Sequence, residues 1–252
     1  MPLDDRSQIS ISIIIPVYNG EEYLAEAIQS VRTQGVGPLE FIVVDDGSTD
    51  RTRQLVESFG PECRYHYQDN AGPAVARNAG LQKARGGIIG FLDADDLLTP
   101  EGLSVRYARL AESPKLDAVM GTLQVLERQT GDAEKDRFEP RGEPLVCYNM
   151  GSVLVRRAVF DRIGAFNPRY RWCEDVDWFM RAQEHGTVFD VLADVVLLYR
   201  RHEKNMTRNA AGVAFSLTKV FKASIDRRRK LAGGEAAALD EIYYVRPGRF
   251  AV

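Results

Sequence analysis

The chain has 252 residues, 44% of them hydrophobic and 27% charged, with a formal net charge of −3 at pH 7. That length suits one sizeable α/β domain with a real core, or one domain with a small appendage. The charge balance gives no reason to expect nucleic acid as a partner, and no apolar run approaches the roughly 20 residues that span a bilayer. The N-terminus, Met1-Pro2-Leu3-Asp4-Asp5, lacks an apolar signal core, so a cytoplasmic location is expected. Three widely spaced cysteines, Cys63, Cys147 and Cys173, fit neither a disulfide framework nor a zinc site with paired ligands.

Strand and helix signals alternate through the first half. Ile11 to Val17 is an apolar run suited to a strand buried on both faces. Glu22 to Thr33 carries Leu24, Ala27, Ile28 and Val31 at helical spacing. Phe41 to Val44 reads as the second strand, and Ser48-Thr49-Asp50 offers N-caps for a helix bearing Leu55, Val56 and Phe59. Cys63 to Tyr67 is the third strand. Pro73 opens a helix to about Ala84, ended by Gly86-Gly87, and Ile88 to Leu92 is the fourth strand. Such βαβ units imply right-handed crossovers, a mostly parallel central sheet flanked by helices, and a Rossmann-like N-terminal half.

Beyond Asp96 the spacing predicts a helix over Pro100 to Glu112, a strand over Ala118 to Leu126, and a mobile polar loop over Gln129 to Pro144. Gly151 to Val155 reads as a short strand, Ala158 to Ile163 and Asp175 to Glu184 as helices, and Val188 to Leu198 as a β-branched strand. Val213, Leu217, Val220, Phe221 and Ile225 mark an amphipathic C-terminal helix. It ends in Arg227-Arg228-Arg229-Lys230. Solvated cations suited to the helix dipole are the leading reading of that cluster, with peripheral contact to anionic lipids at the inner membrane face as the alternative.

Ligands of a parallel α/β sheet sit beyond the carboxyl ends of its strands. Three polar clusters fall there: Pro16 to Gly20, Asp45-Asp46-Gly47-Ser48, and Asp93-Ala94-Asp95-Asp96. Each alone reads as a loop with capping residues. Together they gather at least four carboxylates along one edge, a concentration that a hard divalent cation with substrate phosphate would offset. On an extended segment, Asp93 and Asp95 at i and i+2 would point the same way and share one ligand. No Gly-x-Gly-x-x-Gly or P-loop pattern occurs in the first turn.

The ordered series Ser12-Ile13-Ile14-Ile15-Pro16-Val17-Tyr18-Asn19, Val43 to Asp50, Asn70 to Gly80 and Phe91 to Asp96 resembles glycosyltransferase family 2, the inverting nucleotide-sugar transferases of the GT-A fold. It continues through Gly164-Ala165-Phe166, Glu174-Asp175-Val176-Asp177-Trp178 and Tyr199-Arg200-Arg201-His202, about four-fifths of the chain. The resemblance implies that residues 1–210 form one such domain, with a nucleotide-sugar half at 9–97 and an acceptor and base half at 98–210. Residues 211–252 would add the amphipathic helix and a tail.

The resemblance also implies roles. Pro16 and Tyr18 line the base and ribose pocket, Asp46 accepts from a pyrimidine N–H, and Asp93 meets the ribose. Arg77 bonds base or phosphate, with an exposed helix-surface arginine equally expected. Asp95 is the main ligand of Mg²⁺ or Mn²⁺, and His202 approaches metal or pyrophosphate. Asp175 is the catalytic base, Glu174 positions acceptor or base, and Trp178 packs or walls the acceptor. Arg201 is a candidate for neutralising leaving-group charge, with a solvated arginine equally expected.

The reaction implied is transfer from a nucleoside diphosphate sugar, UDP-linked by expectation, to a glycan, lipid-linked or other hydroxyl acceptor in cell-surface glycan synthesis. A sugar-phosphate nucleotidyltransferase is a weaker rival, because Pro16 to Glu22 lacks the Gly-rich cationic loop a triphosphate needs. A non-catalytic nucleotide-sugar-binding module is the other. Neither the sugar nor the oligomeric state is legible.

Overall fold

Alternation along the first strand sets the layers. The computed structural model describes residues 11–37, 39–129 and 137–231, and all seven residues of β1 (Ile11–Val17) are buried. Ile11, Ile13, Ile15 and Val17 join one core with α1 (Leu24–Arg32) and α4 (Gly102–Glu112). Ile14 joins the opposite core with α3 (Pro73–Lys83), α5 (Arg157–Ile163) and α6 (Glu174–Glu184). A strand with period-two side chains and helices on both faces has to be apolar on both sides.

Around β1 the sheet is parallel. It pairs with β2 (Leu39–Asp46) and β4 (Ile88–Phe91), and β2 pairs with β3 (Cys63–Gln68). Helix α2 (Thr52–Ser58) connects β2 to β3. Pro16 sits in a central strand without breaking it. The Ile14 carbonyl accepts from Leu92 N–H, so even-numbered residues face β4, whose pairing stops at Ile14↔Phe91. The missing N–H of Pro16 therefore falls just past the end of that ladder.

The second half is mixed. β8 (Val153–Arg156) is antiparallel to β4 and to β6 (Ala118–Gln129), while β9 (Phe189–Arg201) runs parallel to β6. β5 (Leu97–Leu98) pairs antiparallel with β9, and the full order is β3-β2-β1-β4-β8-β6-β9-β5. Parallel pairing thus dominates residues 11–91, and the antiparallel pairs come with the later strands.

Several sequence expectations shift. Residues 137–140 form β7 (Arg137–Pro140) against β6, where a loop was expected, because alternating Arg137 to Pro140 completes a hairpin edge. The centre of that loop, 130–136, and the tail, 232–252, lie outside the described residues. A single 3-10 turn, Met150–Ser152, precedes β8 and delays its start. The C-terminal helix α7 (Ala210–Leu231) packs on α6. Its basic end is not four free cations, since Arg227 bonds Glu184 at 2.5 Å and Asp177 at 3.3 Å and Arg228 is half-buried. Only Arg229 and Lys230 of that cluster are exposed. No helix among the described residues is long and apolar enough to cross a membrane.

Candidate active site

Because β1, β2 and β4 are parallel, the three polar clusters emerge along one edge. Turns one and two are sewn together: Asn19 N–H donates to Ser48 Oγ at 2.8 Å, and Thr49 N–H donates to Asn19 Oδ1 at 2.8 Å. Ser48 and Thr49 therefore serve that link, and none of Ser48, Thr49 and Asp50 is the N-cap, which is Arg51; Asp50 accepts from Thr52 N–H at 3.0 Å just ahead of the helix. Tyr18, 55% exposed, stands at this edge with a free aromatic face, as does Tyr67 at 51% on β3.

Asp46 is less available than the sequence suggested. It is buried, and its carboxylate accepts from Gln68 Nε2 at 2.7 Å, Ala71 N–H at 2.9 Å and Gly72 N–H at 2.8 Å. Those bonds hold the loop into α3, where Gly72 adopts φ +93°, a conformation open to glycine. One acceptor position remains on Oδ2, which is what a single pyrimidine N–H would need.

The acidic turn after β4 is not extended. Asp96 N–H donates to the Asp93 carbonyl at 3.0 Å, closing a turn that sends Asp93 and Asp95 to different partners. Asp93 Oδ1 accepts from Arg77 Nη2 at 2.5 Å. Asp95 Oδ2 accepts from Asn205 Nδ2 at 3.0 Å and lies 3.1 Å from His202 Nε2. The shared-ligand geometry expected of Asp-x-Asp is thus replaced by two separate sites. Asp96 is buried, accepts Arg200 N–H at 3.0 Å, and leaves Oδ2 without a partner among the described residues. Burial first, then the charges of Asp95 and Asp93, push its pKa well above the ordinary range.

Sequence reading missed the residue that anchors this turn. Arg200 is 2% exposed and reaches the Asp95 carbonyl and Glu26, with its guanidinium 4.8 Å from the Tyr23 ring. Its neighbour Arg201, the candidate named from sequence, is exposed. Alternation in β9 decides between them. Asn205 was also missed, although an Asn three residues after His202 is the signal for a side chain that accepts His202 N–H.

A cation's fit can be read from these contacts. Asp95 and His202 are adjacent, but among the described residues no set of three His, Cys, Asp or Glu side chains could hold a metal alone. Asp95 alone suits a hard cation that draws its remaining ligands from diphosphate oxygens and water, and His202, named from the sequence as approaching metal or pyrophosphate, instead has both ring nitrogens engaged within the protein. His202 Nδ1 lies 3.2 Å from Lys204 N–H and accepts from it, so Nε2 carries the proton and donates to Asp95. The ring, stacked on Tyr23 at 4.6 Å, is arranged to orient Asp95.

Across the edge, α6 opens at Cys173, which holds φ +62°. Cys173 and Asn19 are the two non-glycine residues with positive φ among the described residues, and both border this site. Glu174 is buried and bonds Arg77 Nη1. Asp175, partly open to solvent, makes no ion pair among the described residues and accepts only from Val176 N–H at 2.8 Å. Burial first, then the Glu174 charge, pushes its carboxyl up to about 7. Arg77 is therefore not an exposed helix-surface arginine: it is 6% exposed and ties Asp93 to Glu174.

Trp178 cannot wall an acceptor. It is fully buried, packed 4.8 Å from Phe160 and 5.5 Å from Phe179 between ring centroids, three residues inside α6 from Asp175. A polar cleft of about 520 Å³ lined by Asn19, Glu21, Glu22, Asp50, Arg51 and Lys204 opens beside the first turn. None of the carboxylates named from the sequence, Asp46, Asp93, Asp95 and Asp175, lines it.

Comparison with known proteins bears on these residues. Residues 12–175 match the sequence model described as glycosyl transferase family 2. The minor teichoic acid biosynthesis protein GgaA of Bacillus subtilis is 30% identical over 211 residues, covering 77% of this chain and 47% of that protein. An uncharacterized glycosyltransferase of Rickettsia typhi, RT0329, is 29% identical over 213 residues, covering 79% of this chain and 66% of that one. This chain thus spans about half to two-thirds of those relatives' lengths. In fold it is similar to S. aureus TarS 1-349 in complex with UDP-GlcNAc, with a TM-score of 0.71 at 23% identity over 88% of this chain and 67% of that one. The mannosyltransferase PcManGT of Pyrobaculum calidifontis, in complex with GDP-Man and Mn²⁺, has a TM-score of 0.68 at 20% identity over 90% and 68% of the two chains. At that identity the two structures establish the GT-A architecture alone.

Proposed function

The chain belongs to glycosyl transferase family 2, and we propose that it transfers a sugar from a nucleoside diphosphate sugar to an acceptor hydroxyl in cell-surface glycan synthesis. The supporting observation is the convergence at Arg77 of the donor-edge turn, through Asp93, and the helix that begins with Glu174-Asp175. A nucleotide pocket alone needs no half-buried carboxyl with a raised pKa beside it; a transferase does.

In this reading the base and ribose lie along Pro16, Tyr18, Asp46 and Asp93, with UDP as the donor nucleotide because Asp46 retains one acceptor position. Asp175 takes the proton of the acceptor hydroxyl as its oxygen attacks the anomeric carbon, and the nucleoside diphosphate leaves from the opposite face with inversion. Mg²⁺ or Mn²⁺ held by Asp95, with His202 orienting that carboxylate, would supply positive charge for the departing diphosphate. Residues 9–97 then serve the donor and 98–210 the acceptor and base. Peripheral contact with anionic lipid would rest on Arg229 and Lys230, and co-sedimentation with anionic vesicles tests it.

The function is tested with a panel of UDP- and GDP-sugars in Mn²⁺ or Mg²⁺, scored by thermal shift and by donor hydrolysis. A shift and turnover with one donor, both lost in Asp95→Ala, is the expected result. No response to any donor would overturn the proposal.

A further inference from the structure

The sequence offers Arg77 as a direct donor ligand, but its surroundings argue otherwise. The side chain projects from α3, in the donor half, and is 6% exposed. Nη2 is bonded to Asp93 and Nη1 to Glu174, and the guanidinium lies 5.9 Å from the Phe166 ring. Each terminal nitrogen is already committed to a carboxylate and the side chain is almost closed off from solvent, so its chief partners are within the protein. Meanwhile the next residue, Asn78, exchanges two hydrogen bonds with the Phe166 backbone, at 2.8 and 2.9 Å. Arg181 fixes the same segment from α6 by donating to the Ile163 and Ala165 carbonyls at 2.8 Å each. Consecutive side chains of one helix therefore sew the donor half to the base half.

Resting on the transferase reading above, we propose that Arg77 is a positioning residue: its bridge from Asp93 to Glu174 holds the donor turn and the base helix in one geometry and sets the charge around Asp175. The groups facing Asp175 are Glu174, Arg77, Asp93, Cys147 and Cys173. Burial pushes the two thiols up to about 12 and 11, so both are neutral at physiological pH. One guanidinium then stands against three carboxyls. Removing the cation and removing the Glu174 charge must act on Asp175 in opposite directions.

The test compares Arg77→Met, Arg77→Lys and Glu174→Gln. The readouts are UDP affinity by calorimetry and the pH profile of UDP- or GDP-sugar hydrolysis, with water as acceptor. Arg77→Met should move the acid limb up by about one pH unit, and Glu174→Gln down by about one. UDP affinity should stay within about threefold in each, while kcat at pH 7 falls about tenfold in Arg77→Met. Arg77→Lys keeps the charge but lacks the two-armed fork, so its limb stays put while kcat falls.

If Arg77→Met does not fold, the contrast between Glu174→Gln, whose limb moves down, and Arg77→Lys, whose limb stays put while kcat falls, still decides. Limbs that move together or not at all, or a UDP affinity loss above about tenfold with kcat unchanged, would overturn the proposal. Wild-type protein that hydrolyses no donor would instead overturn the transferase reading beneath it, a distinct outcome.

Discussion

Between pH 8 and pH 6 the hydrolysis rate of the wild-type enzyme should fall about tenfold, and the cause is the Asp175 carboxyl. Burial and the Glu174 charge push it up to about 7 from an ordinary 3.8. A base must be ionised to accept a proton. With a pKa near 7, about nine-tenths of the carboxyl is ionised at pH 8, half at pH 7 and about one-tenth at pH 6. An aspartate at its ordinary value would be fully ionised across that range and the rate would be flat. The assay is single-donor hydrolysis at saturating sugar nucleotide and cation.

A stability control follows from the same shift. The folded-state pKa lies above the unfolded one, so the native state binds the extra proton between them. The stability this group contributes is complete below about 3.8 and is lost as pH rises through about 7. The melting temperature of Asp175→Asn relative to wild type should therefore increase from pH 5 to pH 8. A wild-type rate that is flat from pH 6 to pH 8, with no pH-dependent difference in melting temperature, would refute the reasoning.

Other substitutions test the surrounding structure. His202→Ala removes the donor that orients Asp95 and should weaken Mn²⁺ affinity in the presence of UDP by about 10- to 100-fold, read by calorimetry. Trp178→Ala empties a fully buried site and should cost about 3–5 kcal/mol, read from the denaturant midpoint, with UDP affinity in the folded protein little changed. Gly86→Ala would bring a Cβ within 2.7 Å of the Ser12 backbone nitrogen, where nothing flexible can yield, and should destabilise by about 1–3 kcal/mol in thermal melts.

The first half of the molecule was nearly all legible in the sequence, because buried parallel strands write themselves as runs such as Ile11 to Val17 and the intervening helices carry clear apolar spacing. The antiparallel pairings of β8, β5 and β7 were not, since β5 is two residues long and β7 is held by register with β6. Site residues were visible as types but not as partnerships. Which of Arg200 and Arg201 points inward depends on strand phase, and the β-branched run around them gives no phase. Whether Asp93 and Asp95 act together depends on a turn that Asp96 closes by its backbone, an interaction without a side-chain signature. Arg77 and Glu174 lie 97 residues apart, so their ion pair could not be read from either segment alone.

The convergence of donor edge and base helix is tested most directly by one experiment on one protein: UDP-sugar binding and turnover measured on the same Asp175→Asn sample in Mn²⁺. Asp175 makes no bond to the donor-edge residues, so binding within about twofold of wild type is predicted together with turnover reduced by about 10²- to 10⁴-fold. Turnover that survives the substitution, or donor binding that disappears with it, would contradict the assignment of separate donor and base roles to the two halves of the site.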